Sequence, residues 1–403
     1  MQVAVLGCGV VGCGTVDLLV KNAAHIEACA GQPITVKYIL ERRELPDSPY
    51  ADKIVRNFDT IVEDPEVDLV IEAMGGSHPA YDFSLRALQA GKHVVTSNKE
   101  VVATFGPELL AAAEENGVQY LFEASVGGGI PVIRPLAEDL SGNLVDNIAG
   151  ILNGTTNYIL TRMFSAGKSF AEALGEAQEK GYAEKDPSAD VEGLDACRKI
   201  AILTAVASGK LVKTEDIHTE GITAIRSEDV AAAEKLGYSI KLLGRMIRTE
   251  VGELYLMVAP FWVPSASPLY TISDVFNGVL VHGNFVDDVL FFGRGAGAAP
   301  TASAMVGDVM HIATGGGRVH RVWEEAKASD VTDFAHFACR RYVALTGVDH
   351  NAVTVLFGDA EFLPMEDGIA FLTPAISESE YQDKLARVLA GNGKLLSHIR
   401  IYS

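Results

Sequence analysis

A short apolar run, Val3 to Leu6, leads directly into Gly7-Cys8-Gly9-Val10-Val11-Gly12, after which Val11, Leu18 and Leu19 recur at helical spacing. This strand, G-x-G-x-x-G, helix order constrains the chain more than any other feature. The first glycine permits a tight turn, the second lets a pyrophosphate approach the backbone, and the third lets helix pack closely on strand. The helix N-terminus then faces the phosphates. In this context the motif marks a dinucleotide site on a parallel α/β sheet, formed by Gly7, Gly9, Val10, Val11 and Gly12.

Ile34 to Leu40 reads as the next strand and runs into Glu41-Arg42-Arg43. An acidic residue at this point favours the free 2′-hydroxyl of NAD, and an arginine favours the 2′-phosphate of NADP. Both types are present. Two adjacent guanidiniums in a chain of net charge −20 point to a nearby anion, so the reading leans to NADP through Arg42 or Arg43.

That net charge argues against nucleic acid and anionic membranes as partners. No run of 18 apolar residues is present, so no transmembrane helix is expected. The first strand begins near Gln2, which leaves no room for a signal peptide, and the expected location is the cytoplasm. The five cysteines have no metal-ligand spacing and are expected to be reduced. A length of 403 residues implies two or three domains.

The α/β alternation continues through the first third. Val67 to Ala73 and His93 to Thr96 read as strands, and Gln119 to Glu123 as another; Tyr81 to Ala90 and Glu108 to Asn116 read as helices. In a doubly wound sheet, ligands sit beyond the carboxyl ends of the strands. Gly75, Gly76, Ser77 and Lys99 therefore fall along one cofactor crevice. The segment Glu123 to Pro131 carries three consecutive glycines. Its carbonyls can ligate a hard monovalent cation or support a turn, and an interdomain hinge explains it equally well.

From about Ile133 the pattern changes to a mixed α+β one. Asn153-Gly154-Thr155-Thr156-Asn157 is a polar turn opening a helix at Tyr158. Gly181 to Leu203 then places Glu184, Asp186, Asp190 and Asp195 just before Lys199. On a helix from Gly193, Asp195 and Lys199 are one turn apart and share a face flanked by Val191, Ile202 and Val206. An ion pair inside an apolar stripe fits a site that binds a small ammonium-bearing substrate and moves a proton; a partly buried structural salt bridge fits it too.

Taken together these residues resemble the homoserine dehydrogenase family. The matching pieces are LGCGVVGCGTV (6–16), VIEAMGG (70–76), GKHVVTSNK (91–99), FEASVGGGIP (122–131), GILNGTTNYIL (150–160), GYAEKDPSADVEGLDACRKIAIL (181–203) and GRGAGAAPTASAMVGD (293–308). The resemblance implies an NAD(P)-dependent interconversion of L-homoserine and L-aspartate 4-semialdehyde. It implies Lys199 as proton donor to the aldehyde oxygen, with Lys99 between nicotinamide and substrate. Glu184 and Asp195 would hold the substrate, with Asp190 close by and Thr155 and Tyr182 completing the set. Gly297 would meet the cofactor. Carbonyls at Glu123, Val126, Gly128 and Ile130 would hold a monovalent cation, Na+ or K+.

The expected architecture is a Rossmann-type α/β domain over 1–130 with 294–325 returning to it, and an α+β substrate and dimerisation domain over 131–293. A small, degenerate ACT-like domain follows over 334–403, in a homodimer or homotetramer. That last segment lacks an Asp-x-Pro-Gly turn, reading Thr346-Gly347-Val348-Asp349 instead, so threonine feedback is not expected. Two other classes are weaker. A redox-sensing regulator would not need the Lys199 segment. An aspartate-semialdehyde dehydrogenase needs a cysteine nucleophile with a histidine partner, and Cys197 has no histidine within a turn.

Overall fold

The protein is described by a computed structural model covering Met1–Ser403. Its contacts divide it into two compact units. The first comprises Met1–Val145, Arg198–Thr214 and His282–Ala326, and the second comprises Asp146–Cys197, Glu215–Val281 and Lys327–Ser403.

The first unit is built on six parallel strands: β1 Gln2–Leu6, β2 Thr35–Leu40, β3 Ile54–Val55, β4 Leu69–Glu72, β5 His93–Thr96 and β6 Tyr120–Leu121. Their order is β3-β2-β1-β4-β5-β6. The order reverses at β1, where a doubly wound sheet opens its ligand crevice. Helix α1, Val10–Lys21, leaves β1 through the glycine turn. Val16 and Leu19 of α1 share a core with Met305, Val306, Val309 and Ile312 of the helix Ala298–Ala313. The C-terminal return of the chain therefore completes the nucleotide-binding unit.

The second unit is organised by a long sheet. Phe276–Gly283, Val145–Ile151, Tyr238–Arg248 and Leu254–Pro264 lie side by side, followed by Lys394–Ile401, Arg341–Thr346, Ile369–Leu372 and Glu361–Leu363. The last four, with the helices His350–Phe357 and Glu378–Val388, make a strand-helix-strand-strand-helix-strand module. Its strand Lys394–Ile401 runs parallel to Leu254–Pro264 at Phe261↔Arg400 and Trp262↔Ile401. Trp262 also stacks on Tyr342, with ring centroids 4.4 Å apart. The 334–403 segment thus extends one continuous sheet.

Several local readings need correction. The helix expected from Glu108 begins at Lys99, and Pro107 lies inside it. Asn98 caps this helix by accepting the Val101 N–H. The strand Tyr238–Arg248 was not anticipated; Lys241 and Arg245 in it are themselves buried, so its sequence shows no clean alternation. Cys8 and Cys13, expected to be reduced, form a disulfide: the glycine turn folds the loop over the first turn of α1 and brings their Cα atoms to 4.9 Å. Arg198–Thr214 groups with the first unit instead of the segment 131–293.

Buried charge ties the second unit together. The Arg341 guanidinium donates to Glu378 Oε2 (2.8 Å) and to the carbonyls of Cys339 and Ile376. Arg400 donates to both oxygens of Glu220 (2.7 and 2.9 Å) and to the same Glu378 oxygen (3.0 Å). Removing one partner of a buried pair leaves the other charge uncompensated. Arg400→Met should therefore lower stability by about 3–5 kcal/mol, read from the midpoint of denaturant unfolding. A loss below about 1 kcal/mol would show that these charges behave as surface ion pairs.

Candidate functional site

The glycine turn has the shape that a pyrophosphate requires. Gly7 holds φ at +93°, and a Cβ there would sit 3.1 Å from the Ala73 carbonyl oxygen. A Cβ on Gly12 would run into the carbonyl of Gly7. At Gly9 no atom lies within 4 Å of a Cβ position, so the backbone is open. No side chain caps α1. Its first N–H groups, at exposed Val10 and half-buried Val11, are thus placed to meet an anion. Gly297 N-caps the helix Ala298–Ala313, whose Ala298 carbonyl lies 3.4 Å from a Cβ built on Gly14 of α1. The two glycine loops thus open onto neighbouring helix N-termini.

The adenosine end separates the two arginines. Glu41, just after β2, accepts the Cys8 N–H (3.1 Å) and binds Arg43 through its N–H, Nε and Nη2. The Arg43 guanidinium holds the Glu41 carboxyl down at about 2. Arg43 also donates to the Cys8 carbonyl (2.9 Å). Arg42 is exposed, and only its carbonyl is engaged, by Arg56. Of the two candidates, Arg42 has the guanidinium available to an incoming phosphate.

At the carboxyl ends of β4 and β5 a buried carboxylate shapes the crevice. Glu72 accepts the Thr96 hydroxyl (2.5 Å) and the Met74 N–H (2.6 Å). The Thr96 hydroxyl accepts the Asn98 N–H, and Asn98 Nδ2 donates to the Gly76 carbonyl (2.8 Å). This network sets the exposed Gly75 turn and the start of the helix carrying Lys99. Glu72 went unnoticed in the sequence; its signal was a single charge inside an apolar strand. Burial pushes its carboxyl up to about 7.

The triple-glycine segment is buried. The Glu123 carboxylate accepts three backbone N–H groups, from Val132, Ile133 and Arg134, each at 2.7 Å. Its own N–H donates to Asp308 Oδ2 (2.9 Å). Burial, with the charge of Glu123 beside it, raises the Asp308 carboxyl to about 8. Gly127 and Gly128 have positive φ, and Ile130 N–H turns back to the Gly127 carbonyl. The carbonyls of Val126, Gly128 and Ile130 accept none of these turn hydrogen bonds. Buried carbonyls normally find a partner, so the donor set fits a hard cation.

The second unit assembles the acidic residues. Gly193, at φ +84°, separates the turn Ser188–Val191 from the helix Leu194–Ser208. Asp190 comes from the turn and Asp195 from the first helical turn. Both accept hydrogen bonds from Asn153. Thr155 donates to the Tyr182 carbonyl (2.7 Å), and the Tyr182 ring meets Tyr158 edge-on. Glu184 is exposed two residues later. Lys199 lies one turn beyond Asp195 on the same helix; Asp195 is 6% and Lys199 8% exposed. Asn153 was not singled out in the sequence, although an Asn before a helix is a recognisable capping signal.

Two family models match the chain: the NAD-binding domain of homoserine dehydrogenase over residues 7–123, and homoserine dehydrogenase itself over 131–310. A homoserine dehydrogenase of Synechocystis sp. is 46% identical over 77% of this chain and 73% of its own length. That of Pseudomonas aeruginosa is 39% identical over 96% and 91%. The crystal structure of a homoserine dehydrogenase from Thiobacillus denitrificans superposes with a TM-score of 0.90 at 36% identity, covering 100% of this chain and 98% of that one. No helix is long and apolar enough to cross a membrane.

The buried Glu72 makes a measurable prediction. A carboxyl whose folded pKa lies above its unfolded value binds more protons when folded, so stability falls as pH rises from about 4 to about 7. Glu72→Gln removes that titration. Its unfolding free energy should decline less over this interval than that of the parent, in parallel denaturation series. Identical slopes would show that burial does not raise the Glu72 carboxyl above its unfolded value.

Proposed function

The chain belongs to the homoserine dehydrogenase family, and from that premise we propose how its residues divide the work. The enzyme interconverts L-aspartate 4-semialdehyde and L-homoserine with NAD(P). The bound nicotinamide supplies hydride in reduction. Lys199 gives the proton that the nascent alkoxide requires, and its ammonium stabilises the developing charge. Glu184 and Asp195, with Asp190 beside the latter, receive the substrate's α-ammonium, because carboxylates form its strongest hydrogen bonds. Thr155 and Tyr182 complete that pocket. Lys99 serves between nicotinamide and substrate. The observation that carries this reading is the acidic pair Asp190 and Asp195 immediately preceding the buried Lys199.

The cofactor preference follows from the adenosine end. Glu41 is occupied by Arg43 while the Arg42 guanidinium is available, which favours NADP. A solved neighbour, a hyperthermophilic archaeal homoserine dehydrogenase in complex with NADPH, is consistent with this at 26% identity and a TM-score of 0.69, over 79% of this chain and 99% of that one. The carbonyls of Glu123, Val126, Gly128 and Ile130 would hold Na+ or K+, whose charge would brace this loop. The exposed apolar residues Leu144, Phe285, Leu290 and Phe292 form the surface for a second copy of this chain. The module over 334–403 is ACT-like in strand order but lacks the Pro-Gly turn, so threonine inhibits weakly or not at all. The reading places the enzyme in the cytoplasm.

Two experiments test these assignments. Lys199→Ala should cut turnover by roughly 10²–10⁴ with little change in cofactor affinity; near-parental turnover would hand the acid role to Lys99. Arg42→Ala should weaken NADP by about tenfold or more and leave NAD unchanged, since only NADP presents a 2′-phosphate. An unaltered NADP/NAD ratio refutes the cofactor assignment.

A further inference from the structure

Asn153 stands where three elements meet. It follows the strand Val145–Ile151 in extended backbone, at φ −131° and ψ 117°, and caps the helix Gly154–Ala166. Its side chain is 6% exposed. Oδ1 accepts the Thr156 N–H (2.8 Å) and lies 3.1 Å from the Thr156 hydroxyl. A backbone N–H can only donate, so the oxygen of the amide must face the helix. The NH2 group is thereby turned the other way, where both acceptors are carboxylates: Asp190 Oδ1 at 2.7 Å and Asp195 Oδ2 at 2.9 Å.

The helix cap therefore selects the orientation of the amide, and the amide selects the positions of two carboxylates. Few side chains can do this. Serine or threonine can cap the helix but has one hydrogen to donate, and aspartate can cap it but has none when ionised. Lysine could bridge two carboxylates but would neutralise them. A neutral amide holds two like charges close without adding a charge of its own. The same capped helix presents Thr155 to the Tyr182 carbonyl, so the two sides of the acidic pocket are placed by one turn of backbone.

We propose that Asn153 is a positioning residue that fixes Asp190 and Asp195 as a pair for the substrate's α-ammonium. The inference rests on the assignment of that pair to the substrate and adds the group that sets it.

Capping and bridging are separable by substitution. Asn153→Asp retains an excellent cap but removes both donors and adds a third carboxylate. Asn153→Ser retains the cap and one donor, and Asn153→Ala loses both functions. If Asn153 positions the carboxylates, the KM for homoserine rises in the order parent, Ser, Ala, Asp. The Ser variant should change roughly tenfold and the Asp variant up to about a hundredfold, the scale of hydrogen bonds to charged groups. The Kd for NADP should stay at the parental value, and kcat should fall less than KM rises. If Asn153 only caps the helix, Asp and Ser behave as the parent and only Ala is impaired, with its thermal midpoint and activity falling together. That outcome overturns the proposal. Should the Asp variant fail to fold, the Ser variant decides alone: a parental KM refutes positioning. Asp195→Asn serves as the reference. An unchanged homoserine KM there removes the substrate assignment itself. A raised KM in Asp195→Asn with parental KM in the Ser and Asp variants removes only the role of Asn153.

Discussion

Much of the nucleotide-binding unit depends on one buried carboxylate. Glu123 follows β6, receives three consecutive backbone N–H groups at the entry to the helix Ile133–Ala137, and offers its own N–H to Asp308. Asp308 belongs to the helix Ala298–Ala313, which packs on α1 behind the glycine turn. A carboxylate is tolerable in such a place because several aligned N–H dipoles replace water, with the charge of Arg134 nearby. The interaction thereby couples three segments that are distant in sequence: the carbonyl-rich loop, the returning helix and the pyrophosphate turn. A shorter or neutral side chain at this position would leave those N–H groups unpaired and release the loop from the helix that supports it.

The second unit uses charge differently. The buried Arg341 and Arg400 share Glu378, and Arg400 also pairs with the half-buried Glu220. Glu220 also lies in the strand register of Leu254–Pro264, since its N–H donates to the Val258 carbonyl (2.7 Å). The neighbouring Gly221 packs so closely on Val191 and Glu192 that a Cβ would not fit. The backbone of the acidic turn is thus braced from beneath by the segment that the arginines anchor.

The parts legible in the sequence were those governed by local rules. The strand, glycine turn and helix at the N-terminus, the parallel alternation and the acidic helix carrying Lys199 all follow from short-range pattern. What escaped detection depends on tertiary context. Tyr238–Arg248 is buried on both faces, so its Lys241 and Arg245 broke an alternation that the fold does not require. The helix expected from Glu108 starts nine residues earlier, at Lys99, because Asn98 caps it there. Choosing between Arg42 and Arg43 needed the position of Glu41. Asn153 carried a capping signal, but its second function appears only when residues 190 and 195 fold back onto residue 153.

The helix Ala298–Ala313 has a temporal consequence. Val16 and Leu19 lie far ahead in the sequence of Met305 and Val309, with which they share a core. During synthesis all six strands of the nucleotide unit emerge long before the segment that covers α1. Contacts of such sequence separation are slow to form, and a partly covered parallel sheet is exposed to aggregation meanwhile. The dinucleotide site should be among the last features to mature, although its residues are the first to be made.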